Sequence, residues 1–259
     1  MFSQDRHRQI LAQVEANSTL SALDAARALG VSTETIRRDL AELENRGLLR
    51  RVHGGAVSLT KPPAPEQPHN TRTTINAAAK RTIGMLAAQL ITTERTLFID
   101  AGTTTQQLAR AISRTFIGTV VTSSMLVATE LLRSERVKVL VAPGFVQFEE
   151  PSLSGTVTNE FLRNYHYDLA FISCSGMSGG RGVTDYKVDY ASLSRTVIEN
   201  SDRNVLLADS SKDGRIADAV VCDWEPIADL VTEKAPSADT TGALVKAVTN
   251  VVYPRPRKG

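Results

Sequence analysis

Residues 30–56 read GVSTETIRRDLAELENRGLLRRVHGGA, and two patterns overlap in them. Ile36, Leu40 and Leu43 recur at i, i+4 and i+7, the stripe of a helix packed on one side. Ser32 stands where a helix N-cap belongs and Gly47 where a helix ends. With the stripe turned inward, Thr33 and Arg37 lie one turn apart on the outer face, as do Glu34 and Arg38. Packing needs only the stripe, so the outer arginines ask for a partner. Beyond them, LLRRV and AVSL flank His53-Gly54-Gly55, and two short extended runs around a Gly-rich turn predict a β-hairpin.

Upstream, Ile10, Leu11 and Val14 at helical spacing mark a helix over 5–16, and a second runs from Ser21, as its N-cap, to Leu29 before Gly30 breaks it. Three helices and a hairpin make a winged helix-turn-helix, whose third helix packs by its inner face and puts N-terminal polar residues into the major groove of DNA. Ser32, Thr33, Thr35, Arg37 and Arg38 are the expected DNA-contacting residues of that helix. Arginine suits the task because its fork grips guanine edges or phosphate bidentately. Arg50, Arg51 and His53 of the wing are expected to touch the DNA backbone. A plainer reading makes the helix arginines a solvated face with Glu34–Arg38 and Arg38–Glu42 pairs, each worth ~0.3–0.5 kcal/mol. The coincidence of three helices, a capped third helix, paired arginines and a Gly-Gly hairpin favours the DNA reader.

Placement rather than bulk charge carries that reading. Residues 1–60 hold eight arginines against seven acidic residues, and the 259-residue chain has a net charge of only +2. With 42% hydrophobic and 22% charged residues it has the composition of a soluble globular protein. Cys174 and Cys222 are far apart without CxxC spacing, so neither a disulfide framework nor a zinc ribbon is indicated. The start lacks the apolar segment of a secretory signal, and no run approaches the ~18 apolar residues of a membrane helix. A cytoplasmic protein is expected.

Residues 61–74, KPPAPEQPHNTRTT, carry four prolines and no apolar periodicity; an interdomain linker without helix is expected over 61–75, after a DNA-binding domain of residues 1–60. A helix is expected over 76–91. Then the apolar runs TLFID, TVVTS, VKVLVA, DLAFIS and NVLLAD alternate with helical patterns near 104–112, 124–133, 156–164 and 189–200. Short apolar strands separated by helices imply an α/β domain with a mainly parallel sheet covered on both faces, assigned here to 76–252, with a basic tail at 253–259.

The segments VSTETIRRDL and LENRGLLRRVHGGA closely resemble the N-terminal winged helix of DeoR-type bacterial transcriptional regulators. The resemblance covers most of the chain: Lys80, Ile83 and Gly84, then Asp100 to Thr105, DLAFISCSG and LLADSSK are similar to the effector domain of that family. It implies a repressor answering to phosphorylated sugars or related metabolites, with an effector domain similar in fold to ribose-5-phosphate isomerase. The sequence departs from the family pattern in Thr122-Ser123, where Thr-Asn is usual, in Pro143-Gly144, where Gly-Gly is common, and near Ser194, where a lysine is more usual. Those departures bear on the identity of the effector and leave the DNA end untouched.

The stretch LFIDAGTTTQQLA puts an apolar strand before a Gly-containing turn that feeds a helix, an arrangement that offers N–H groups and a favourable dipole to an anion. Gly102, Thr103 and Thr104 form the expected cradle, and Asp100 can accept from sugar hydroxyls; ordinary helix capping by threonine is the alternative. Other strand ends repeat the theme with Thr122, Ser123 and Ser124, with Gly144, with Gly155, with Ser175 and Gly176, and with Asp209. Lys212 is the expected countercharge for a phosphate, a role that rests on the resemblance, and Lys187 follows a glycine-rich stretch. GxxxxGK is missing, so this is no Walker loop. An isomerase would need a positioned base; Asp100, Asp168 and Asp209 lie near strand ends, but there is no acidic cluster like the isomerase's DGADE stretch. A scaffold that only oligomerises would favour apolar patches over strand-end Ser, Thr and Gly. The expectation is therefore a DNA-binding regulator, a dimer or tetramer, with operator DNA and a small phosphorylated effector as partners. No catalytic residue, metal or cofactor is expected.

Overall fold

The structure is a computed structural model and describes residues 3–17, 19–52, 54–58, 67–112, 115–147 and 150–254. The first unit comprises helices α1 (Ser3–Asn17), α2 (Ala22–Leu29) and α3 (Thr33–Asn45) with strands β1 (Thr19–Ser21), β2 (Arg50–Val52) and β3 (Gly55–Val57). Ser21 caps α2 by accepting from the Asp24 N–H, and Gly30 ends it with φ +65°. Ser32 caps α3 through the Thr35 N–H at 3.1 Å. Ile10, Val14, Ala25, Ile36, Leu40, Leu43, Leu49 and Ala56 close one apolar core between the helices and the wing. The expected hairpin is present as β2 against β3, and β1 adds a third strand in the order β1-β3-β2. Three residues are too short a run for alternation to announce β1 in the sequence.

A buried ion pair locks α1 to α3. Arg6 donates to both carboxylate oxygens of Asp39, Nε to Oδ2 at 2.5 Å and Nη2 to Oδ1 at 2.8 Å, and His7 Nε2 lies 3.0 Å from Oδ1. Burial by itself raises the Asp39 pKa, but the hydrogen bonds from Arg6 and His7 outweigh it and hold the carboxyl below its ordinary value.

Two further helices, α4 (His69–Thr74) and α5 (Ala77–Ala88), lead into the second unit. Its centre is a seven-stranded sheet of β4 (Thr96–Ile99), β5 (Gly118–Thr122), β6 (Val137–Val141), β9 (Leu169–Ile172), β12 (Asn204–Leu207), β14 (Asp229–Val231) and β15 (Asn250–Val252). All neighbouring strands are parallel, in the order β15-β14-β12-β9-β4-β5-β6. Successive residues face opposite sides, so one sheet serves two cores. Phe98, Val121, Ile172, Leu206 and Leu230 pack with α8 (Thr156–Arg163), α9 (Val188–Glu199) and α10 (Ala238–Ala247), whereas Leu97, Ile99, Phe171 and Leu207 pack with α5, α6 (Thr103–Ile112) and α7 (Met125–Leu131). Outside the main sheet lie a hairpin of β7 (Phe145–Gln147) and β8 (Ser152–Ser154), and a three-stranded antiparallel sheet of β10 (Gly176–Ser178), β11 (Gly182–Asp185) and β13 (Ala219–Cys222). The five expected strands and the paired helical patterns all appear at their places in this α/β layer arrangement. No helix among the described residues is long and apolar enough to cross a membrane.

The expected linker needs correction. Residues 61–66 lie outside the described residues, as do 255–259 of the basic tail, but His69–Thr74 is helical where 61–75 was read as helix-free. The prolines end at Pro68, just before the helix, where a fixed φ does no harm. What holds the turn is remote in sequence: buried Glu150 pairs with both His69 (Nδ1 to Oε1, 2.9 Å) and Arg72.

Asp39→Asn is expected to destabilise the first unit by ~3–5 kcal/mol, because it leaves Arg6 buried without its counterion. Urea unfolding followed by far-UV circular dichroism measures the loss. Since the folded Asp39 pKa is lowered, its contribution is present above the ordinary carboxylate range and disappears as pH falls through the lowered value. The gap between wild type and variant should close in acid.

Candidate functional site

The outer face of α3 stands clear of its core. Arg37 and Arg38 side chains are 64% and 82% exposed, and both approach Glu34, at 3.6 Å and 3.9 Å, too far for firm hydrogen bonds. The pairing of Arg38 with Glu34 is as the sequence suggests; Glu42 instead lies 4.0 Å from His7. Thr33 is half-buried in the first turn, and Ser32 and Thr35 are joined through their hydroxyls at 2.8 Å as part of the cap. In the wing, Arg50 is exposed, while Arg51 is tied to α3 by its N–H to Glu44 Oε1 at 2.7 Å. His53 lies outside the described residues.

The second site follows from the order of the strands. The chain lays β5 and β6 to one side of β4 and then returns to place β9, β12 and the rest on the other. The loops leaving β4 and β9 therefore diverge, and a crevice opens at their carboxyl ends, where α/β sheets bind ligands. A cavity of about 210 Å³ occupies it. Its floor is Gly102, Thr103, Thr104, Ser173 and Cys174, and its far wall is Asp209, Ser211, Lys212 and Arg215. Gly102 has φ +156°, and a Cβ there would stand 3.0 Å from Ser173 Oγ, so the tight turn needs glycine. It delivers the first N–H groups of α6, which have no partner within that helix, to the cavity.

The remaining wall comes from residues the sequence reading did not select: Gln67, Arg72, Ile75, Asn76, Lys80 and Tyr186. Lys80 carries a usable signal. It lies with Ile83, Gly84 and Ala87 on the buried face of α5, and a lysine in a core stripe is the informative kind of exception. Burial lowers its pKa to about 8, against the pull of nearby Asp209, with Lys212 and Arg72 lowering it further. Its Nζ donates to the Arg72 carbonyl at 2.5 Å. Asn76, in the left-handed region at φ +54°, donates from Nδ2 to Asp209 Oδ1 at 3.0 Å. Among the described lining residues four cations, Arg72, Lys80, Lys212 and Arg215, face one carboxylate, Asp209.

Of the expected effector residues, Gly102, Thr103, Thr104, Asp209 and Lys212 converge here and the others are placed elsewhere. Asp100 lies buried beneath the floor, accepting from the Ala101 and Ser173 N–H groups at 2.8 Å and 3.1 Å; burial, aided by Asp185, pushes its carboxyl up to about 7 against those bonds. Thr122 donates to the Ile99 carbonyl, Ser124 caps α7, and the Ser123 carbonyl accepts from the Leu153 N–H. Gly144 and Gly155 are at the ends of the β7–β8 hairpin, where a Cβ on Gly144 would collide with Thr158. Ser175 bonds Asp185, Gly176 opens β10 against the Arg215 backbone, and the Lys187 ammonium sits over the Tyr190 ring at 5.4 Å. These side chains serve turns, caps and packing. Asp168 binds the Arg95 and Thr96 N–H groups at the start of β4, the opposite end of the sheet from the cavity.

Residues 6–62 match the DeoR-like helix-turn-helix domain and residues 75–234 the DeoR C-terminal sensor domain. The chain belongs to the DeoR family of DNA-binding transcriptional regulators. It is 31% identical over 96% of its length to a putative aga operon transcriptional repressor of Escherichia coli O157:H7, covering 93% of that protein. It is 35% identical over 80% of its length to the L-fucose operon activator of Haemophilus influenzae, covering 82% of it. Against the HTH-type transcriptional regulator GlpR of Haloferax volcanii the figures are 32%, 97% and 98%. Among solved structures, ribose-5-phosphate isomerase A of Methanocaldococcus jannaschii matches with a TM-score of 0.40 and 15% identity over 53% of this chain and 54% of that one. Within this DeoR-family chain, then, α3 belongs to the helix-turn-helix domain, and the cavity lies in the sensor domain with Gln67 and Arg72 added from just ahead of it.

Gly102→Ala is expected to lower stability by ~1–3 kcal/mol, since an alanine must hold a glycine backbone conformation against Ser173. Urea denaturation of the full chain reads the effect.

Proposed function

We propose that this regulator represses carbohydrate-metabolism genes and is released from its operator by a phosphorylated sugar or a related metabolite bound in the β4–β9 crevice. The observation that carries the reading is the cavity itself: a helix-start cradle with two threonines, walled by four cations and a single carboxylate. Such a lining suits a small ligand with a doubly charged head and hydroxyls, and N–H donors at a helix start need no added charge to hold it. The repressor named for the aga operon supports the sign of control, while the fucose operon relative is named an activator, so the sign is decided by transcription assays. Sensor domains joined as a dimer or tetramer in the cytoplasm would present paired winged helices to half-sites about 34–36 Å apart, one DNA turn.

In this reading Arg37 and Arg38 contact the operator. Arg37→Ala and Arg38→Ala should each weaken binding by about 1–3 kcal/mol at fixed salt, as read by fluorescence anisotropy with a duplex selected from a random pool. Unchanged affinity in both variants would remove α3 as the reading helix.

The effector half is tested by melting the full chain with a panel of sugar phosphates. A ligand at one hundred times its Kd raises stability by ~2.7 kcal/mol. The shift should shrink as pH rises through about 8, because Lys80 loses its proton there and an anion must then restore it on binding. A panel with no shift, beside normal DNA binding, would leave the sensor domain as a scaffold.

A further inference from the structure

The wall of the cavity that closes over the cradle is built by the segment joining the two domains. Gln67, Arg72 and Ile75 come from helix α4 and its flanks, and Asn76 follows directly. We propose that Arg72 binds the anionic group of the effector, so that the interdomain helix is part of the effector site. The proposal rests on the reading of the crevice as an anion site.

Its burial and its partners prepare Arg72 for the role. Its side chain is 15% exposed at the cavity wall. Its Nε donates to the Gln67 carbonyl at 2.9 Å, and its Nη2 pairs with Glu150, a carboxylate 8% exposed that also holds His69. A guanidinium fixed in this way has already given up its rotational freedom, and its charge suits a phosphate at the cavity wall. Lys80 bonds the Arg72 carbonyl, and Asn76 bonds Asp209 across the cavity. A phosphate between Arg72 and the Gly102–Thr104 turn therefore joins the interdomain helix to the sensor sheet through the ligand itself.

The consequence for regulation is one of linkage. Whatever affinity Arg72 contributes is available only while α4 is docked, so the ligand favours that arrangement by the same factor. A phosphate monoester on a small polyol is the fitting chemical class, with the phosphate between interdomain helix and cradle and the hydroxyls toward Asp209 and Ser211.

The test uses the full chain and inorganic phosphate, titrated calorimetrically. Arg72→Gln should weaken phosphate binding at least about tenfold, the loss expected for a charge-assisted hydrogen-bonding partner. Glu150→Gln keeps the Arg72 guanidinium and removes its counter-carboxylate, so binding should be retained or strengthened. Equal affinity of wild type and Arg72→Gln overturns the proposal while leaving the anion site standing. Equal weakening by both substitutions also overturns it, because Arg72 would then act only by holding α4 in place. No phosphate binding by the wild type removes the anion-site reading and this proposal together.

Discussion

The reversal of winding between β4 and β9 is the constraint on which the sensor domain depends. Two adjacent parallel strands whose connections leave in opposite directions cannot cover their own carboxyl ends. Asp100 bridges the gap from below, one oxygen on the Ala101 N–H and the other on the Ser173 N–H, so the two diverging loops share one carboxylate. The opening above it becomes a cavity with a fixed floor rather than a mere cleft. Burial raises Asp100 to about 7, the electrostatic cost of placing that brace in the core.

Charge is distributed against intuition across the two domains. The helix-turn-helix unit is nearly balanced in charge, and Arg37 and Arg38 stand exposed on the outer face of α3. The sensor cavity, by contrast, concentrates cations, one of them drawn from the buried stripe of α5. Desolvation lowers Lys80 to about 8, leaving it mostly protonated at neutral pH yet responsive to its neighbours. Asp209 supports it from the far wall, and is itself engaged by Asn76 and Ser211.

Much of this was legible from residues alone. The inner stripe Ile36, Leu40 and Leu43 and the Ser32 cap identified α3, and the apolar runs located β4, β5, β6, β9 and β12. The Gly102–Thr104 turn could be read because a strand, a glycine and a helix start are all local features. Arg72, Asn76 and Arg215 could not, since what brings them to the cavity is tertiary: Glu150 holds Arg72 and Asp209 holds Asn76, each far away in sequence. The same limit explains α4, a helix with no apolar stripe to reveal it. Small polar residues at other strand ends lie outside the cavity for a related reason: Ser124 and Gly155 stand at helix N-caps and Ser175 bonds Asp185 within the core. Lys80 shows what could have been seen, a charge in register with the core.

The clamp of Arg6 and His7 on Asp39 has a consequence for how any message can reach DNA. Asp39 sits on α3 itself, two positions from Arg37, and it binds that helix to the first helix of the chain through buried bonds. Moving α3 away from α1 would therefore mean breaking the clamp. Under the proposed regulation, a signal from the sensor domain would turn or displace this head as a unit. What an effector can then adjust is the pose of paired heads, and with it the half-site spacing they fit rather than the bases they read.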